Sequence, residues 1–220
     1  MKLPHPARYV IFDLDGVLLD TEPLYTRATQ QVVEPYGKVF DWSVKGDIIG
    51  RNALDGARHA VASLALPISP EEYLARREPI LRELFREAEE FPGARNFVER
   101  LAQRGVPMAI ATSSEHELCR LKIARHPWFS LFSAVVCGDD PRIVHLKPAP
   151  DIFLVAATEL DAPPEDCVVF EDSPAGVEAA LCAGMQVVAL PDPGMERSRY
   201  TAAQIVIGGF GAIQPEDLGL

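Results

Sequence analysis

Continuous apolar runs recur along the chain: Tyr9–Phe12, Pro107–Ala111, Ala134–Cys137, Cys167–Phe170, Val187–Leu190 and Ile205–Ile207. Unbroken apolarity over a few positions, without alternation, predicts strands buried on both faces of a parallel sheet. Between them lie segments with apolar residues at helical spacing. Ala94–Gln103 runs into Arg104 and Gly105, a stop signal. Asp151–Leu160 carries Ile152, Val155, Ala156 and Leu160 in helical register, and alanine-rich Ala175–Ala183 is closed by Gly184. Strands alternating with helices predict an α/β fold: a Rossmann-like, doubly wound, mainly parallel sheet with flanking helices.

Residues 23–90 break this pattern. They show helical segments at Leu24–Glu34, Leu54–Leu64 and Pro70–Glu89, and no convincing strand. Ser69 reads as the N-cap of the third, with Pro70 at its first position and Glu72 two further on. Pro79 falls inside that helix and is expected to kink or split it. A stretch this long is too much for a simple crossover. It predicts an inserted, all-helical cap at 20–90, with an α/β core formed by 1–19 and 91–220 and a return hinge at Phe91-Pro92-Gly93. There are no internal repeats and no low-complexity tract.

Ligands of open parallel sheets bind beyond the carboxyl ends of the strands. Four polar segments fall there: IFDLDGVLLDT at 11–21, AIATSS at 109–114, LKPAPD at 146–151 and VVFEDSPAG at 168–176. Asp13 and Asp15 stand two apart at a strand end, where extended backbone would turn both the same way. Two like charges so close require a cation or a shared proton. Glu171 and Asp172 make a second acidic pair, giving four carboxylates with Lys147 as the nearby lysine. The donors are hard oxygens, and the five histidines show no metal-binding spacing, which favours Mg²⁺ over Zn²⁺. The alternative for Asp172 is the N-cap of the helix that follows, with Pro174 just inside it.

Thr112, Ser113 and Ser114 follow the second core strand and precede a helical stretch, so hydroxyls and free N–H groups there suit phosphate oxygens. The alternative is N-capping by Ser113 or Ser114. Lys147, stiffened by Pro148 and Pro150, would neutralise a phosphoryl group or a nucleophilic carboxylate; the alternative is a solvated surface lysine. Arg51 in the insert is a candidate to reach a substrate anion, or else a surface ion pair. His116 reads as solvent-facing, Asp139 and Asp140 as a turn before Pro141, and Gly208–Gly211 as a turn that fits no nucleotide-binding pattern.

The remaining properties set limits. The chain has 220 residues, 48% hydrophobic and 24% charged, as expected of a soluble globular protein. A formal net charge of −11 argues against nucleic-acid polymers and anionic membranes as partners, and leaves a small phosphorylated molecule open. Neither a signal peptide nor a membrane span is expected. Cys119, Cys137, Cys167 and Cys182 form no Cys-x-x-Cys pair; Cys137 and Cys167 read as buried thiols, and a reducing cytoplasm is the expected compartment.

The four segments resemble the motifs of the haloacid dehalogenase superfamily: DLDGV at 13–17, Thr112, Lys147 and Glu171-Asp172 match its four motifs in order, and the helical insert resembles its C1-type cap. The family pattern often has Thr or Val two residues after the second aspartate, and here it is Val17. Having Asp15 implies phosphoryl transfer, because the dehalogenase branch lacks that aspartate. The resemblance implies that Asp13 is a nucleophile forming an aspartyl phosphate and that Asp15 acts as acid and then base. Thr112 and the Ser113 N–H would hold phosphoryl oxygens, with Lys147 offsetting charge. Asp13, the Asp15 carbonyl and Asp172 would hold Mg²⁺, with Glu171 as ligand or outer partner. FSLFSAVVCGDDP (129–141), VFEDSPAGVEAALCAGMQVV (169–188) and QPEDLGL (214–220) are similar to the pseudouridine-5′-phosphatase subgroup, which implies a 5′-nucleotide monoester as substrate. Many relatives act as monomers. The competing expectation is a sugar phosphomutase similar to β-phosphoglucomutase, which carries a histidine at the position of Tyr25.

Overall fold

A computed structural model describes residues 2–49 and 53–220. Six parallel strands make the main sheet: β1 (Tyr9–Phe12), β4 (Met108–Thr112), β5 (Ala134–Cys137), β6 (Cys167–Glu171), β7 (Gln186–Ala189) and β8 (Ile205–Val206), in the order β5-β4-β1-β6-β7-β8. β1 sits between β4 and β6, with Phe12 opposite Ile110 on one side and Phe170 on the other. The chain thus builds outwards from β1 in both directions, and the crevice at the carboxyl ends of β4, β1 and β6 is where such sheets bind ligands.

Alternation of side chains across the sheet divides the core in two. Val10, Phe12, Ile110, Val168 and Phe170 pack on one face against Phe97 and Leu101 of α5 (Ala94–Gln103). Ile11, Ala109, Ala111 and Val169 pack on the other, against α7 (Asp151–Glu159) and α8 (Pro174–Cys182). Cys137 and Cys167 are buried, as expected from their apolar runs.

Between β1 and α5 the chain forms α1 (Glu22–Val33), α2 (Trp42–Ile48), α3 (Ala53–Ser63) and α4 (Pro70–Phe85). Three features there differ from expectation. A short antiparallel ribbon, β2 (Leu19–Asp20) with β3 (Glu89–Glu90), brackets the helices at entry and exit. Two residues per strand are too few to leave a periodic signal. Helix α2 is capped by Asp41, whose carboxylate accepts from Ser43 N at 2.9 Å. Helix α4 begins at the Ser69 cap as anticipated but runs unbroken through Pro79. One of its sides buries Tyr73, Arg77, Leu81, Leu84 and Phe85, and that packing sustains the helix across the bond Pro79 cannot make.

The helices also touch the core beyond β7, where Arg199 donates to the Gly46 carbonyl at 3.0 Å. Among the described residues no helix is long and apolar enough to cross a membrane.

Candidate active site

The carboxyl ends of three adjacent strands carry the predicted residues into one cavity of about 600 Å³, roofed by α1, α2 and α4. β1 delivers Asp13, β4 ends on Thr112, and β6 ends on Glu171 with Asp172 next. Lys147 arrives from the loop before α7, on a cis peptide bond to Pro148. Its Nζ donates to Asp13 Oδ1 at 2.6 Å, to Glu171 Oε1 at 2.7 Å and to the Ala111 carbonyl at 3.2 Å. The Lys147 side chain is 6% exposed, so the surface-lysine alternative is excluded.

Carboxylate oxygens of Asp13, Glu171 and Asp172 lie within 4.8 Å of one another. Glu171 is held from both sides: Lys147 takes Oε1, while Ser173 donates its N–H (2.8 Å) and hydroxyl (3.1 Å) to Oε2. Ser173 also caps α8, accepting from Gly176 N at 3.0 Å. The capping role considered for Asp172 therefore belongs to its neighbour. Asp172 is instead backed by Gly16, whose φ of +75° and missing side chain allow its approach; a Cβ there would lie 2.4 Å from Asp172 Oδ2.

Three carboxylates with one lysine cannot all stay ionised cheaply. Burial, with Glu171 and Asp15 adding to it and Lys147 opposing, pushes Asp13 up to about 7. Asp172 is raised well above the carboxylate range by burial and by Glu171 and Asp13. Burial alone would push the Lys147 ammonium down, but Asp13 and Glu171 outweigh it and hold it charged. A hard divalent cation suits this all-oxygen donor set and would favour the ionised forms.

Asp15 faces a different partner. β1 ends at Phe12, so the same-side rule for extended backbone does not carry through to Asp15. Its carboxylate accepts from Lys122 Nζ at 2.7 Å on both oxygens, from Thr21 Oγ1 at 2.6 Å and from Ser114 Oγ at 3.0 Å. Burial raises its pKa, but the Lys122 charge and these hydrogen bonds more than reverse that, and Asp15 is held below the usual carboxylate value. The expected single lysine is thus a pair, each assigned to one aspartate. The Asp15 carboxylate is not part of the three-carboxylate group.

Lys122 lies on α6 (His116–Ile123) and was not anticipated. The signal available was its place three residues after Cys119, on one helix face; both are buried. Its Nζ also sits 4.2 Å from the centroid of the Phe85 ring of α4. Neither Ser113 nor Ser114 caps α6: Glu115 is the N-cap without a side-chain bond, and Asp139 accepts from His116 N at 2.9 Å. Asp139 thus has a capping contact beyond the turn expected of it. Thr112 is buried and accepts from Ser114 N at 3.1 Å, and exposed Ser113 lines the cavity mouth. His116 is exposed, as expected. Arg51 lies outside the described residues.

A family model for haloacid dehalogenase-like hydrolases matches residues 7–184. The chain belongs to this family. Among its curated relatives, a Drosophila melanogaster protein named probable pseudouridine-5′-phosphatase is 44% identical, over 100% of this chain and 96% of that one. The Arabidopsis thaliana (DL)-glycerol-3-phosphatase 2 is 41% identical, over 96% and 91%. Among solved structures of similar fold is a Thermotoga maritima protein provisionally assigned as a beta-phosphoglucomutase, at TM-score 0.73, 32% identity and 96% of each chain. The haloacid dehalogenase-like fold, with its mainly parallel sheet and helical insertion, is the architecture observed here.

Proposed function

We propose that this haloacid dehalogenase-like hydrolase is a Mg²⁺-dependent phosphomonoesterase acting on a small phosphate ester through an aspartyl phosphate at Asp13. The observation that carries the reading is Asp13 itself: a buried carboxylate at the end of β1, bound by Lys147 and grouped with Glu171 and Asp172. A carboxylate in that position attacks the phosphorus while its charge is balanced.

In the first step Asp13 forms an O–P bond as the ester P–O bond breaks, and Asp15 gives its proton to the departing oxygen. In the second, water attacks phosphorus, Asp15 takes the proton, and inorganic phosphate leaves Asp13 free. The arrangement described holds Asp15 as an anion, ready for the second step; the first requires it to leave Lys122 and gain a proton. Thr112, Ser113 and Ser114 surround the phosphoryl oxygens at the end of β4, and Lys147 offsets their charge. Asp13, Glu171 and Asp172, with the Asp15 carbonyl, would hold the Mg²⁺, which supplies charge neutralisation at the phosphoryl group. Residues 20–90 serve as the cap over the core of 1–19 and 91–220, and Arg51 is assigned to that cap's share of substrate binding.

For the substrate, the relatives' names point to pseudouridine 5′-phosphate or another small monoester. The phosphomutase alternative gains nothing from Tyr25: burial pushes its phenol up to about 12, so it offers no group that exchanges protons near neutrality. Phosphate release should require Mg²⁺ and should vanish in Asp13→Asn. Undiminished turnover in that variant would remove Asp13 as nucleophile, and interconversion of sugar phosphates without net release would restore the mutase.

A further inference from the structure

One polar side chain on the roof of the cavity is left without adequate partners. Arg77 of α4 lines the cavity and its side chain is only 9% exposed, yet its Nε is buried with no hydrogen-bond partner. It is the sole buried side-chain nitrogen or oxygen in that condition among the described residues. Its guanidinium has five N–H donors, and the one bond it makes to a described residue is a 3.5 Å contact from Nη2 to Glu78. The guanidinium lies over the Tyr73 ring, its Cζ 5.4 Å from the centroid. A buried cation this poorly satisfied is costly, and the cost falls when a ligand in the cavity accepts from the guanidinium's remaining N–H groups.

The charges around it decide what kind of acceptor. Among the described residues each cation lining this wall has a carboxylate: Lys45 has Glu22 at 3.2 Å, Arg82 has Glu117 at 2.7 Å, and Arg77 has Glu78. Among its described residues the wall therefore offers donors to spare but no uncompensated positive charge, which suits a neutral acceptor better than a second anion. The lining also includes the apolar side chains of Phe40, Ile48 and Leu81, the last of them four residues beyond Arg77 on α4. Its volume of about 600 Å³ lies within the range of roughly 300–1,000 Å³ for sites that enclose a whole small molecule.

We propose that Arg77 is a specificity-determining residue that donates hydrogen bonds to a neutral carbonyl on the non-phosphate end of the substrate, so that the site takes phosphate monoesters bearing a carbonyl-containing ring. This rests on the phosphatase reading for the position of the phosphate, and the two are separable by experiment. Affinities of uridine 5′-monophosphate and ribose 5-phosphate, which share the phosphorylated ribose, are measured by calorimetry on the Asp13→Asn protein with and without Arg77→Met. Loss of the guanidinium should weaken uridine 5′-monophosphate by about ten-fold or more beyond any change for ribose 5-phosphate. Arg77→Lys, which keeps the charge but not the fork of donors, should lose most of the same preference and carries the test if Arg77→Met does not fold. Equal weakening of both ligands, no change in either, or no preference for the nucleotide at the outset would each overturn the proposal. Phosphate release from the same two esters by protein with Asp13 intact tests the other reading: none from either would remove the phosphatase while the binding comparison still decides on Arg77.

Discussion

Lys122 Nζ donates to both carboxylate oxygens of Asp15, 2.7 Å from each. The lysine side chain is 0% exposed, and it reaches Ser114 Oγ at 2.8 Å and the face of Phe85 as well. One buried cation thus ties together the end of β1, the turn after β4 and a helix of the inserted segment. Removing it leaves the Asp15 charge with only two hydroxyl donors. We expect Lys122→Met to destabilise the fold by about 3 kcal/mol or more, read from urea denaturation. Adding Asp15→Asn should recover part of that loss, because the charge left unpaired is then gone. Strict additivity of the two changes would show that the pair is not coupled.

The acidic group predicts how metal and pH act together. Asp13 holds its proton up to about 7 and Asp172 is raised well above the ordinary range, whereas both ionise near the usual aspartate value when unfolded. The folded metal-free protein therefore binds more protons than the unfolded chain between those values. It loses stability from these groups as pH rises through that window. A divalent cation needs the ionised forms, so its stabilisation runs the opposite way. The rise in melting temperature on adding Mg²⁺ should be larger at about pH 8 than at about pH 5. An equal rise at both would separate metal binding from these carboxylates.

Among the described residues Lys147 is the only lysine bonded to that group, through Asp13 and Glu171. Lys147→Met should lower kcat by about a hundred-fold or more, since charge developing on the phosphoryl oxygens loses its neighbour. It should also make the metal-free protein less stable and its melting temperature more dependent on Mg²⁺, because three carboxylates then face one another without a cation. If the variant's melting temperature responded to Mg²⁺ no more than the wild type's, the charge balance assigned to Lys147 would be wrong.

Most of the sheet is legible because buried parallel strands are written as unbroken apolar runs: the strands Tyr9–Phe12 and Ala134–Cys137 coincide with their runs to the residue. The strand-end position also makes Asp13, Thr112, Glu171 and Asp172 readable as one site, which Lys147 joins from the loop before α7. What escaped depends on tertiary contacts. Lys122 looks like any helix lysine until α6 is laid beside Asp15 and Phe85. The β2–β3 ribbon pairs residues some seventy positions apart with only two residues in each strand, so neither half has a pattern of its own. Pro79 reads as a breaker because the packing that overrides it belongs to other helices. Ser173 and Asp172 are adjacent and equally good caps by residue type, and only the geometry of the α8 turn gives the role to Ser173.

Gly176 supplies a test of how tightly the acidic site is built. It lies in the first turn of α8, where alanine would ordinarily favour the helix by up to about 1 kcal/mol. Here a Cβ would fall 1.7 Å from Glu171 Oε1, well inside contact distance. Glu171 has little freedom to withdraw, since Ser173 holds Oε2 and Lys147 holds Oε1. Gly176→Ala should therefore destabilise by about 2 kcal/mol, against its helix propensity, through overpacking. It should also raise the Mg²⁺ concentration needed for half-maximal kcat, because the shifted Glu171 disturbs the oxygens beside Asp13 and Asp172. Truncating the obstacle should reverse the sign: in a Glu171→Ala background, Gly176→Ala should be neutral or stabilising. Chemical denaturation of the four proteins gives the cycle, and a Gly176→Ala single variant as stable as the wild type would show that the turn yields more readily than this packing implies.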